Sequence, residues 1–285
     1  MAEVKEHITV WDGAWDWSGR GDEWSDWWGG TEAMWHGALL PRIHAFLPAQ
    51  TALEIAPGYG RWTQYLKDEC AHLVVVDLAE RCIAQCRERF AASDNIAYHV
   101  NDGRSLAMIA DGSVDFAFSF DSLVHADQEV LDAYLLELGS KLAPDGVAFI
   151  HHSNLGHYER LNRITLKVPA FLRHRLQRTG LLIDIGAWRA EHVTAHSFAE
   201  GARRAGLACV SQEMIRWEHG RQLIDAISVV TRPGSRWHRP NRVLENPHFR
   251  RDGQRLVSLY GTRSYPGARP HRAQAKAGAP PSRRR

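Results

Sequence analysis

The stretch Leu53–Trp62, Leu-Glu-Ile-Ala-Pro-Gly-Tyr-Gly-Arg-Trp, constrains this chain more than any other. Thr51–Ile55 is short and mostly apolar, which predicts a buried strand, and Pro57-Gly58-Tyr59-Gly60 interrupts it before Trp62–Cys70 resumes at helical spacing. A strand, a glycine turn and a helix in that order commit the chain to an α/β architecture. Glycines at 58 and 60 remove side chains that would hold a ligand off the backbone, and the following helix offers unpaired N–H groups. Taken alone, the same Gly-x-Gly reads equally as a βα turn that needs positive φ.

A second apolar run, Leu73–Val76, ends in Asp77, seventeen residues after Gly60. An acidic residue at that distance, on the tip of the second strand, is placed to hydrogen-bond ribose hydroxyls. The two features together resemble the first two motifs of class I S-adenosylmethionine-dependent methyltransferases, and the resemblance extends from about Thr51 to Arg232. It implies a seven-stranded, doubly wound, Rossmann-like sheet whose last strand is antiparallel. It also implies S-adenosylmethionine as cofactor and S-adenosylhomocysteine as product. Glu54 matches the acidic residue that opens the glycine motif, Gly58 and Gly60 the glycines under the ligand, and Asp77 the ribose-binding carboxylate. Ala56, Trp62, Leu78 and Phe120 are expected beside them, and Asp102, with Gly103, near the adenine amino group. Ala56 stands where the family usually has glycine, so the turn should be slightly less open there.

The whole chain sets wider bounds. Its 285 residues can bury one substantial core. A net charge of +2 gives no overall bias toward nucleic acid or membrane. The four cysteines have no metal-ligand spacing and read as reduced thiols. The N-terminus lacks the apolar region of a secretion signal, and no apolar run approaches a bilayer span, so a cytoplasmic protein is expected, compatible with a homodimer.

Residues 1–35 hold seven of the eleven tryptophans, interleaved with acids and glycines. They read as an amphipathic segment packed on the domain, or as a lid, within a helical extension over 1–50, that presents flat rings to a substrate. Trp17, Trp27 and Trp28 are the candidate substrate contacts. Further strands are expected at Ile96–Val100, Val114–Phe120 and Val147–Ile150, with a helix over Asp127–Ala143 ended by a Pro144-Asp145-Gly146 turn. The methyltransferase domain, 51–232, is expected to close with strands at Leu207–Trp217 and Leu223–Thr231. Residues 155–193, basic on an apolar background, read as an insertion capping the substrate, 233–265 as a C-terminal extension, and 266–285 as a disordered basic tail.

Open parallel sheets bind ligands at the carboxyl ends of their strands. Two polar clusters fall there: Asp121-Ser122-Leu123-Val124-His125 after the fourth strand and His151-His152-Ser153-Asn154 after the fifth. Methyltransferases acting on base amino groups commonly carry an (Asp/Asn)-Pro-Pro-aromatic motif after the fourth strand; Phe120-Asp121-Ser122-Leu123 departs from it, against a nucleic-acid substrate. Methyl transfer to a hydroxyl needs a proton acceptor, and histidine suits that near neutral pH. His125 ranks first, then His152, with Asp121 orienting or binding substrate and His151 and Asn154 as substrate contacts. The expected acceptor is a small polar molecule, most plainly a sugar or glycan stacked on indole faces, without a metal. An aromatic natural product, methylated on nitrogen or oxygen, is the alternative acceptor. A nicotinamide-dependent oxidoreductase shares the glycine turn and Asp77, but Thr63 stands where its fingerprint needs glycine or alanine.

Overall fold

The computed structural model describes residues 16–183, 188–217 and 220–260. The expectations for Trp11, Trp15 and the tail at 266–285 fall outside them.

Eight strands form one sheet: β1 (Ala49–Ile55), β2 (Cys70–Asp77), β3 (Ile96–Val100), β4 (Val114–Ser119), β5 (Leu142–Ser153), β6 (Ala208–Ile215), β7 (Asp225–Thr231) and β8 (Arg242–Asn246). Their order is β3-β2-β1-β4-β5-β7-β6-β8. β7 runs antiparallel to both β5 and β6, and every other pairing is parallel. The count of seven is corrected to eight. The added strand, β8, lies in the expected C-terminal extension and pairs outside β6. Four of its five residues are exposed, so it carries none of the apolar alternation that marks a strand with a buried face.

Both faces of the sheet are covered, as the apolar central strands require. On one face Phe116, Phe118, Val147 and Phe149 meet Met34, Trp35, Leu39 and Ile43 of a helical run from Thr31 to Phe46, together with Phe249. On the other, Ala117, Ala148 and Ile150 meet Leu131, Leu135 and Leu138 and then Phe198 and Ala202.

Among the described residues seven α-helices lie outside that N-terminal run: α1 (Thr63–Leu66), α2 (Glu80–Arg89), α3 (Gln128–Lys141), α4 (Glu159–Lys167), α5 (Ala170–Arg178), α6 (Ala195–Arg204) and α7 (Phe249–Tyr260). The helix after the glycine turn is shorter than its spacing predicts, because Cys70 already pairs with Ala49 as the first residue of β2. β5 begins at Leu142 and takes in Pro144-Asp145-Gly146, expected as a turn. Gly146 crosses so close to β4 that a β-carbon there would stand 2.4 Å from the Val114 carbonyl oxygen, and the β4–β5 register shifts between Val114 and Phe116. Because β7 is antiparallel, its amino end brings Asp225 opposite Ser153, to the edge where β1, β2, β4 and β5 present their carboxyl ends.

Candidate active site

A cleft opens at that edge. Counted out to its mouth it holds about 970 Å³ of unfilled space, and it runs from the glycine turn and Asp77 past Phe120 and Asp121 to His125 and Asp127.

At the β1–β2 end the backbone after β1 turns through three left-handed residues, Ala56 (φ 58°), Gly58 (φ 58°) and Gly60 (φ 81°). Ala56 therefore keeps a glycine-like conformation while carrying a β-carbon. Its N–H donates to the Val76 carbonyl at 2.8 Å, and the Ala56 carbonyl accepts from the Ser122 hydroxyl at 2.6 Å, so the strain is held from two sides. Asp77 accepts from Gly58 N–H at 3.2 Å and Ala79 N–H at 2.9 Å, which sets its carboxylate at the cleft wall beside Leu78 and Gly103. Tyr134, Val130 and Cys82 complete a largely apolar slot there. A carboxylate for a ribose diol beside an apolar slot for a purine is the donor set that S-adenosylmethionine needs, and these residues fit it.

Gly60 has a different immediate role from the one expected, and Gly58, which lines the cleft, has a packing role besides. A β-carbon on Gly58 would stand 2.9 Å from the Trp17 ring, and one on Gly60 2.5 Å from Phe90 and 3.3 Å from Cys86. Gly60 admits α2 and Phe90 against the turn and does not line the cleft. Gly58 admits Trp17, which stacks on Tyr59 at 4.4 Å with nearly parallel planes. Glu54 lies fully buried beneath the turn, where the Thr63 hydroxyl donates to one carboxyl oxygen at 2.6 Å and the other has no protein partner. Burial pushes this carboxyl up to about 8. Asp102 does not reach the slot: its side chain accepts from the Ser105 and Arg104 N–H groups, which hold its pKa below the usual carboxylate range.

The β4–β5 end is built from charges distant in sequence. Asp121, itself in a left-handed conformation (φ 65°), accepts from Arg61 at 2.7 Å, and its second oxygen lies 3.8 Å from Arg189. Arg189 forms a fork onto Asp225 with bonds of 2.6 and 3.0 Å. Burial acts to raise the Asp225 pKa, but Arg189 and His151 outweigh it and hold the carboxylate ionised, well below its ordinary range. The Asp121 N–H donates to His151 Nδ1 at 3.1 Å, so the imidazole proton sits on Nε2, 3.6 Å from Asp225. His151 stacks on Phe120 and packs beside Trp217. It is a buried strut beneath Asp121, not a substrate contact.

His125 lines the cleft, stacked on Trp188, and its Nδ1 donates to the Trp188 carbonyl. Trp188 holds that carbonyl from a left-handed backbone, φ 41°. His152, expected as an alternative base, is on the opposite face of the sheet, stacked on Phe198 and bonded to the Ser228 hydroxyl and the Ser153 carbonyl. Burial pushes it down to about 3, and period-2 alternation explains why one of two adjacent histidines is lost to the core. Asn154 is also structural, donating to the Leu223 carbonyl and accepting from Ala195 N–H.

The tryptophans divide. Trp17 and Trp24 face the cleft. Trp28 is buried against Trp217 and Phe249, and Trp27 is half exposed under the Arg250 guanidinium, so neither is a substrate contact. Trp62 lines the cleft beneath Arg61, 4.6 Å from its guanidinium. Sequence reasoning missed Arg61, Arg189, Trp188 and Asp225. Arg61 directly follows Gly60 and could have been flagged; the others carry no local signal. Among the described residues no group of three or more His, Cys, Asp or Glu is arranged to hold a metal ion.

Comparison with known proteins agrees with this geometry. Residues 52–146 match the family described as a methyltransferase domain. The fold is shared with DhpI, solved in complex with S-adenosylhomocysteine, at a TM-score of 0.52 and 15% identity over 80% of this chain and 96% of that one. It is also shared with an S-adenosylmethionine-dependent methyltransferase from Mesorhizobium loti, at 0.50 and 17% over 70% and 98%. Residues 52–146 therefore carry a methyltransferase domain, on a fold shared with S-adenosylmethionine-dependent methyltransferases, and the residues that line the cleft fit S-adenosylmethionine. Among curated proteins it is similar to phosphoethanolamine N-methyltransferase 1 of Triticum aestivum, 30% identical over 118 residues, which is 40% of this chain and 24% of the wheat enzyme.

Proposed function

We propose that this protein transfers a methyl group to a hydroxyl of a small polar molecule, with a sugar or glycan as the first candidate and His125 as general base. When bound, the cofactor supplies an electrophilic methyl on a sulfonium, and the acceptor oxygen displaces S-adenosylhomocysteine in line. The hydroxyl proton goes to His125 as the new C–O bond forms.

One observation carries the reading: Nδ1–H of His125 is committed to the Trp188 carbonyl, so in the neutral ring the basic lone pair is on Nε2. A carbonyl that can only accept fixes the tautomer a base requires. Asp121 does not compete for the proton, since its carboxylate answers Arg61 and Arg189. Trp17 and Trp24 bring flat apolar faces to the same cleft as Asp121 and Ser122, a combination suited to a ring with C–H faces and hydroxyl edges.

The test is methyl transfer by the full chain over a panel of sugars, glycans, phenols and amines. A hydroxyl acceptor should emerge, and His125→Gln should lower kcat about 10²- to 10⁴-fold while S-adenosylhomocysteine affinity changes less than about threefold. The similarity to the wheat enzyme favours a second reading, an amine acceptor. An amine that arrives unprotonated needs no strong base, so turnover of an amine that survives His125→Gln would select it.

A further inference from the structure

Helices α4 and α5 lie in the insertion between β5 and α6, and among the described residues each leaves one side exposed. The inner residues of α4 dock on the domain: Leu161 packs with Leu155, Ile183 and Ile224, while Asn162 and Thr165 are buried; α5 has no fully buried residue. Their outer sides follow a pattern that folding does not require. On α4, Arg160, Arg163, Ile164 and Lys167 recur at i, i+3, i+4 and i+7, and all are exposed. On α5 the same spacing gathers Phe171, His174, Arg175 and Arg178, again all exposed. Phe171 is 83% exposed and Ile164 56%, with Leu166, Leu172 and Leu181 also in water. Residues 159–181 hold six of the chain's Lys and Arg and a single acid, Glu159, in a protein whose net charge is only +2. The near-neutral total conceals a basic stretch in which exposed apolar side chains are interspersed with the cations.

We propose that the α4–α5 face docks on an anionic membrane surface, lying in the interface with Phe171 and Ile164 inserted and the cations on lipid phosphates. Charge complementarity selects the partner. A nucleic-acid backbone would reward the cations but leave Phe171, Ile164 and Leu172 in water, whereas an acidic bilayer rewards both. No helix among the described residues is long and apolar enough to cross a membrane, so the association is peripheral. The insertion leaves β5 at Ser153 and returns through Trp188 and Arg189, which contact the cleft residues His125 and Asp121, so docking would hold the catalytic edge of the sheet close to the bilayer. This inference stands independently of the acceptor's chemistry.

Flotation of the full chain with vesicles tests it, using phosphatidylcholine alone against phosphatidylcholine with about one-third phosphatidylglycerol. Binding to the anionic vesicles should be at least about tenfold tighter and should weaken steeply between about 0.05 and about 0.5 M salt. Arg175→Glu with Arg178→Glu should lose at least about 25-fold, at roughly fivefold for each cation removed. Phe171→Ser with Ile164→Ser should lose about tenfold with the salt dependence retained. Unchanged S-adenosylhomocysteine affinity in each variant would show that the fold survives. Equal binding to both vesicle types, variants that float like the parent, or binding to a short RNA duplex without vesicle binding would each overturn the proposal.

Discussion

Asp77 and Asp121 are both carboxylates at the mouth of the same cleft, but they are held in different ways. Asp77 accepts from backbone N–H groups two and nineteen residues away, within one strand–turn–helix unit and its neighbour. Asp121 depends on Arg61, Arg189 and His151, sixty, sixty-eight and thirty residues distant, and through Arg189 on Asp225 of a fourth segment. The first arrangement is a local motif that any sequence with the right spacing reproduces. The second exists only after β4, β5, β7 and the returning insertion have assembled. Local geometry therefore serves the cofactor, while the acceptor end is specified by tertiary structure.

Three changes in stability sharpen that contrast. Arg189→Met should have the largest effect, about 3–5 kcal/mol in denaturant unfolding, because it leaves the Asp225 charge buried without its fork and removes one cation from Asp121. A loss below about 1 kcal/mol would mean that the acceptor-end network does not act as a unit. Glu54→Gln should act through pH. With its carboxyl at about 8 in the folded protein against an ordinary 4.5, the folded state keeps a proton that the unfolded chain releases. Stability should therefore fall as pH rises from about 4.5 to about 8, by about 4–5 kcal/mol, and the decline should be missing in Glu54→Gln. Melting curves across that range would check the sign. Ala56→Gly should be smallest and opposite in direction, a gain of about 0.5–1 kcal/mol, since the relief of a left-handed alanine exceeds the added freedom of the unfolded chain.

The same contrast explains what the sequence disclosed. The strand–turn–helix unit, Asp77 and the antiparallel pair β6–β7 were legible because each is written in apolar runs and turn residues over short spans. Asp102 was misplaced because an Asn-Asp-Gly cluster looks alike whether it faces a ligand or caps its own turn. Gly60 was assigned to the ligand because a sequence shows that a β-carbon is absent, not which neighbour needs the room; here the neighbour is Phe90. His151 and His152 could be separated by alternation but not assigned to faces, which depends on where Trp217 and Phe198 arrive. The N-terminal tryptophans divided for a similar reason: adjacent Trp27 and Trp28 point to solvent and core, while Trp17 and Trp24 reach the cleft.

Calorimetric titration of the full chain with S-adenosylhomocysteine, beside NAD as control, tests the central claim, that Asp77 anchors a sulfonium nucleoside at the β1–β2 end of the cleft. The account predicts binding of S-adenosylhomocysteine, no measurable binding of NAD, and a loss of at least about tenfold in Asp77→Ala with the fold intact by melting. Preferential binding of NAD, or an Asp77→Ala variant that binds S-adenosylhomocysteine within about twofold of the parent, would contradict it.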